Sequence, residues 1–164
     1  MKKNVIISLA DANYFELLNE LVDSIKRFKK SDNTAICILD GGLTDEQKHI
    51  LTPKVDEIKS SDWDIKISKF KTFGKKWLKS LITRAYLPEY FPNYKKYLWI
   101  DADAWVNSWE AIELYLKGCG NQKLSIATSA DRAYGRVLRA EWFLGSFARI
   151  KSQNYKHAKS SGFS

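Results

Sequence analysis

A chain of 164 residues with 45% hydrophobic and 13% aromatic content holds enough apolar material for one ordinary core, which excludes an intrinsically disordered segment. Its 27 lysines and arginines against 19 aspartates and glutamates give a net charge of +8, which favours anionic partners and equally fits a merely soluble basic surface. No apolar run approaches the roughly 18 residues of a membrane span, and Asp11 cuts Val5 to Ala10 too short for a secretory core, so a cytoplasmic protein is expected.

Strand-like and helix-like segments alternate along the chain, the pattern of a parallel-sheet α/β fold. Asn4 to Ala10 reads as a buried strand. Over Tyr14 to Phe28 the positions Leu18, Leu21, Val22, Ile25 and Phe28 keep helical spacing, which predicts an amphipathic helix on the sheet. Thr34 to Leu39 is a second buried strand, closed by the turn Asp40-Gly41-Gly42. Thr44-Asp45-Glu46-Gln47 then has the spacing of a capping box and opens a helix. Trp63 to Phe70 alternates apolar and polar residues, as a strand exposed on one face does. Trp77, Leu78, Leu81, Ile82 and Ala85 return to helical period, ended by Leu87 to Pro92. Tyr97 to Ile100 is a strand, Trp109 to Leu116 a helix, Leu124 to Thr128 a short strand, and Tyr134 to Tyr155 a basic helical tail. Cys37 reads as a small core residue and Cys119 as a loop residue, with neither a zinc nor a CxxC spacing.

Chemistry is expected where strands stop. In Asp101-Ala102-Asp103 two carboxylates follow the apolar run Tyr97 to Ile100, and their hard oxygens suit Mg2+ or Mn2+; the plainer alternative is an acidic turn. The first strand ends in Ala10-Asp11-Ala12-Asn13-Tyr14 and the second in Asp40-Gly41-Gly42. In a parallel sheet all three ends share one edge, the place where α/β proteins hold nucleotides. Tyr14 could stack on a base, Asp11 or Asn13 could bond its polar edge, and Asp101 with Asp103 could hold a cation bridging a diphosphate. Asp11 or Asn13 could instead cap the next helix, Gly41-Gly42 could serve the turn alone, and Arg84, on the face of its helix, could pair with Glu89.

These segments, Ala10-Asp11-x-Asn13-Tyr14, Leu39-Asp40-Gly41-Gly42-Leu43-Thr44, and Arg84 followed by Leu98 to Asp103, resemble glycosyltransferase family 8 from about Asn4 to about Asp131. The resemblance implies a GT-A, Rossmann-like open and mostly parallel sheet flanked by helices. It implies a nucleotide-sugar-binding domain over 1–131, with 132–164 a basic, mostly helical segment of the same domain. It also implies a metal-dependent hexosyltransferase that takes a sugar with retention from a nucleotide-sugar, a UDP-sugar above all, to a saccharide, lipid-linked or protein acceptor. By position the donor contacts fall on Ala10, Asp11, Asn13, Tyr14, Arg84, Asp101, Ala102, Asp103 and, by a weaker match, Asp131. Asp101 and Asp103 would hold the Mn2+ or Mg2+.

Family members add a third metal ligand, the histidine of a His-x-x-Gly-x-x-Lys-Pro-Trp type segment. His157-Ala158-Lys159-Ser160 lacks its glycine and tryptophan, so His157 and His49 are expected to be surface histidines and the chain to be the donor-binding part of such an enzyme, able to bind donor without turnover. Three other readings compete. A phosphatase-like Asp-x-Asp opens its chain and carries Thr or Val where Trp105 stands here. A non-catalytic basic module binding nucleotide or nucleic acid fits the charge, although no recognition motif supports it and nucleic acid is not the expected partner. Arg136 to Lys159, with Trp142, Phe143 and Phe147, could make peripheral contact with the inner face of an anionic membrane, or pack on the rest of the domain.

Overall fold

The computed structural model describes residues 2–64, 82–119 and Ser125. The expected strand at Leu124 to Thr128 lies outside them apart from Ser125. So do Ile65 to Phe70 of the strand expected from Trp63, Trp77 to Leu81, the tail from Tyr134 to Tyr155, Asp131 and His157.

Asn4–Ala10 forms β1, and Val5, Ile6 and Ile7 are buried on both its faces, as a central parallel strand must be. Phe15–Lys26 forms α1, which returns the chain to Thr34–Asp40, β2. Asp45–Leu51 forms α2, and its capping box is complete: Gln47 N donates to Thr44 Oγ1 and Thr44 N donates to Gln47 Oε1. Glu57–Ser60 is β3, Leu87–Tyr90 a single turn α3, Lys96–Trp99 β4 and Trp109–Gly118 α4. Among the described residues all pairings are parallel, in the order β3-β2-β1-β4.

Side-chain alternation sends Ile6 and Ala10 to one face of the sheet, Val5 and Ile7 to the other. The first face joins Ile36 and Ile38 to Leu18, Leu21, Val22 and Ile25 of α1 and to Trp109, Ile112 and Leu116 of α4. The second face packs Ala35, Cys37 and Leu39 under Leu87 and Phe91, with Trp99 and Tyr97 partly buried at its side. Fully burying each Leu or Ile contributes about 1.5–3 kcal/mol, which outweighs the weak propensities of the shorter elements. Among the described residues no helix is long and apolar enough to cross a membrane.

Three local readings change. A strand that the apolar pattern did not offer forms at Glu57–Ser60, and of the strand expected at Trp63 to Phe70 the two described residues, Trp63 and Asp64, are not strand. Glu57 and Lys59 hide this strand from any apolar count; backbone pairing of Cys37 to Asp40 with Glu57 to Ser60 makes it. The stretch Leu87 to Pro92 does not only end a helix, since Leu87–Tyr90 forms a turn of its own with Pro88 near its start, where a missing N–H costs nothing. Arg84 lies not on a helix face but in the turn just after the helical Ile82 and Thr83.

Two consequences of burial are testable. Ser8 Oγ is buried on β1 without a hydrogen-bond partner among the described residues, and an unpaired buried hydroxyl is destabilising. Ser8→Ala is expected to raise the urea midpoint at unchanged slope, by about 1 kcal/mol of stability; a lowered midpoint would show that the hydroxyl is satisfied. Burial pushes the Cys37 thiol up to about 11, against a smaller opposing effect of its contact with Tyr94. The thiolate is the reactive form, so at pH 8 iodoacetamide should modify Cys119, which is partly exposed, and spare Cys37 until the chain unfolds.

Candidate functional site

β1 sits between β2 and β4, and the chain builds outward through β2 and β3 before returning to the far side of β1 as β4. That reversal makes a topological switch point between the carboxyl ends of β1 and β4, where the connections leave in opposite directions and a crevice opens. Ile7 pairs with Trp99, and Ile100 N donates to Ile7 O at 3.0 Å. Asp101 therefore emerges beside the end of β1, one strand spacing of about 4.8 Å across.

The loop after β4 is tied to the core. Ala102 and Val106 are buried in the cluster under α1, so the residues on either side of Ala102 turn outward, and Asp101 and Asp103 are both exposed. Val106 N donates to Ser24 Oγ at 3.0 Å, inside the protein. Arg27 Nη2 donates to Val106 O at 2.8 Å and Asn107 O at 3.1 Å, while its guanidinium lies over the rings of Phe28 and Trp105. Ser24 of α1 and Arg27 just past its end thus fix the backbone that carries the carboxylates.

Asp101 is not alone. Arg84 Nη2 donates to its Oδ1 at 2.5 Å, and Trp99 Nε1 donates to the same oxygen at 2.8 Å. The Arg84 guanidinium carbon stands 4.8 Å from the Trp99 ring centroid. Glu89 is therefore not the partner that the sequence offered for Arg84. Asp103 has no side-chain hydrogen bond among the described residues, and no third His, Cys, Asp or Glu joins the pair there. Two exposed carboxylates with free oxygen positions suit a hard dication that keeps water or phosphate in its remaining positions.

The end of β1 divides its labour. Asp11 caps the turn Ala12–Tyr14, its Oδ1 accepting from Asn13 N at 2.9 Å and Tyr14 N at 3.3 Å. The capping role weighed for Asp11 is thus real. Asn13 and Tyr14 are exposed, and Tyr14, at 54% exposure, offers a ring face to the solvent. Ala10 is buried and meets the neighbouring turn through its carbonyl, which accepts from Gly41 N at 2.9 Å. Gly41 is required there, because a Cβ would lie 2.9 Å from Ala10 O. Asp40 holds that turn, its Oδ1 accepting from Gly42 N and Leu43 N at 2.7 and 2.6 Å. Asp40 is a turn residue, not a ligand. His49 is exposed on α2, as expected of a surface histidine.

The switch point thus gathers Asn13, Tyr14, Arg84, Asp101 and Asp103 at one edge, with Ala10 and Ala102 behind them. Trp99 was missed by the sequence reading; a core aromatic one strand step before an Asp-x-Asp pair was its only signal. A separate cavity of about 580 Å3 opens at the opposite edge, lined by Lys2, Asp56, Glu57, Lys59, Pro92, Asn93 and Tyr94. Its charges are paired with one another, Lys2 with Asp56 and Lys59 with Glu57, and it is remote from the carboxylates.

Comparison with known proteins adds the following. The model of the family described as glycosyl transferase family 8 matches residues 5–117. A crystal structure of an active-site mutant of LgtC is similar at 18% sequence identity and a TM-score of 0.48, over 68% of this chain and 41% of that chain. The chain therefore spans less than half the length of that protein. No curated protein matches.

The anchoring of the loop has a measurable energy. Ser24→Ala removes the acceptor of Val106 N with little change of volume, and an orphaned buried donor costs about 1–3 kcal/mol. A loss of that size in urea unfolding is expected, whereas no loss would mean that the Ser24 contact does not anchor the loop.

Proposed function

The chain belongs to glycosyl transferase family 8, and on that premise we propose that it binds a nucleotide-sugar, a UDP-sugar above all, with a divalent cation held by Asp101 and Asp103, in an enzyme that passes the sugar to a saccharide, lipid-linked or protein acceptor. The observation that carries this reading is the exposed Asp101–Asp103 pair at the strand-order switch, with the Arg84 guanidinium beside it.

Sugar transfer leaves a nucleoside diphosphate whose negative charge grows as the glycosidic bond to the donor breaks. Mn2+ or Mg2+, when bound, would supply electrostatic stabilisation of that leaving group. Arg84 brings a permanent positive charge with several N–H donors to the same place, and donors aimed where charge develops act without reorganisation. Tyr14 offers its exposed face to the base, and Asn13 its amide to the polar edge of that base. Asp11 orders the turn that presents both, and its second oxygen remains for the nucleoside. Ala10 and Ala102 contribute through their backbone, their side chains being committed to the core. The donor contact assigned to Asp131 by resemblance stays with the family reading.

Calorimetric titration with UDP, with and without Mn2+, tests this directly. Binding that manganese strengthens is expected, and in its presence the affinity falls at least tenfold, about 1.4 kcal/mol, in Asp101→Ala combined with Asp103→Ala. If the folded chain ignores UDP and every other nucleoside diphosphate, the donor-site reading is wrong. Salt-sensitive nucleic-acid binding indifferent to both aspartates is then the outcome to examine.

A further inference from the structure

Trp99 makes two contacts at the carboxylate pair that its place in the core does not require. Its indole N–H is spent on Asp101 Oδ1, and its ring face carries Arg84, which donates to that same oxygen. A carboxylate oxygen has two in-plane acceptor positions, so Oδ1 is filled by these two donors. Oδ2 is the oxygen of Asp101 left to face a cation.

From this we infer that Trp99 is a positioning residue for the donor site, fixing the Asp101 carboxylate with Oδ2 presented and holding Arg84 beside it. The inference rests on the donor-site reading above. Trp99 is suited to the role because it is itself held: it is the last residue of β4, opposite Ile7, and packs against the cluster of Val5, Ile7, Ala35, Cys37 and Leu39. Asp101, by contrast, has a side chain 56% exposed and no packing of its own to choose a rotamer. Rigid strands hold a site more closely than loops do, and Trp99 extends the rigidity of β4 into the loop by one hydrogen bond. Its ring also keeps the guanidinium within reach of the diphosphate that the cation would bind. The indole thus stands to Asp101 as a hydrogen-bonding partner stands to any metal ligand, setting its orientation without touching the metal.

The test separates the N–H from the ring. In Trp99→Phe an aromatic face remains for Arg84 while the donor to Asp101 is lost. Site-specific replacement of Trp99 by benzothienylalanine keeps both fused rings and removes only the N–H, which guards against a phenylalanine variant that fails to fold. Mn2+ affinity is read in saturating UDP from the free-ion EPR signal, and metal-free UDP affinity by calorimetry. Both variants are expected to bind Mn2+ about tenfold or more weakly, the usual loss for an outer partner of a metal ligand. Metal-free UDP affinity and the circular dichroism spectrum should not move, which a merely structural role would not allow. Wild-type Mn2+ affinity in the benzothienylalanine protein overturns the role of Trp99 while leaving the donor site standing. Failure of the unsubstituted protein to bind UDP or Mn2+ removes the donor site, and the inference with it.

Discussion

The parallel pairing of β1 with β2 on one side and β4 on the other is the constraint on which the remaining features depend. A strand paired on both edges and covered on both faces leaves no room for a polar side chain, hence the run Val5-Ile6-Ile7 and the cost of Ser8. Parallel connections demand crossovers, and the crossover through α1 lays an apolar stripe on one face. Because the order reverses at β1, the two connections leaving β1 and β4 part company at the carboxyl edge. The site is the result of that divergence, and the charged residues are where it puts them.

Among the described residues four aspartates stand at the ends of β1, β2 and β4, and their hydrogen bonds sort them. Asp11 and Asp40 use their Oδ1 atoms on backbone N–H groups of the turns that follow them. Both carboxylates order the turns at this edge. Asp101 and Asp103 bond no turn in this way, and the loop bearing them is secured instead by Ser24, Arg27 and the burial of Ala102 and Val106. Structural work done by other residues leaves these two carboxylates available for chemistry, which is how a preorganised site is built.

Much of this was legible in the chain. The apolar runs at Asn4 to Ala10 and Thr34 to Leu39, the Thr44 to Gln47 box and the strand leading to Asp101 each rest on local periodicity or spacing and stand in the structure, and the stripe expected over Tyr14 to Phe28 stands as far as Lys26, Phe28 lying past the end of α1. The Glu57–Ser60 strand did not announce itself because it has one strongly apolar residue and is defined by backbone pairing that no side-chain pattern reports. The Arg84–Asp101 pair joins residues 17 apart through a turn, and Trp99 looked like any core aromatic. Such contacts are tertiary facts. The strand ends were readable as a site because the sheet is parallel, whereas which donor meets which carboxylate oxygen needed coordinates.

The central claim is that the switch point between β1 and β4 is a donor site whose cation sits on Asp101 and Asp103. Crystals grown with UDP and Mn2+, measured at the manganese absorption edge, address it most directly. One anomalous peak within coordinating distance of Asp101 Oδ2 and Asp103, with the diphosphate beside Arg84 and the base near Tyr14, is the expected result. Manganese at any other group, or UDP ordered away from the carboxyl ends of β1 and β4, would contradict it.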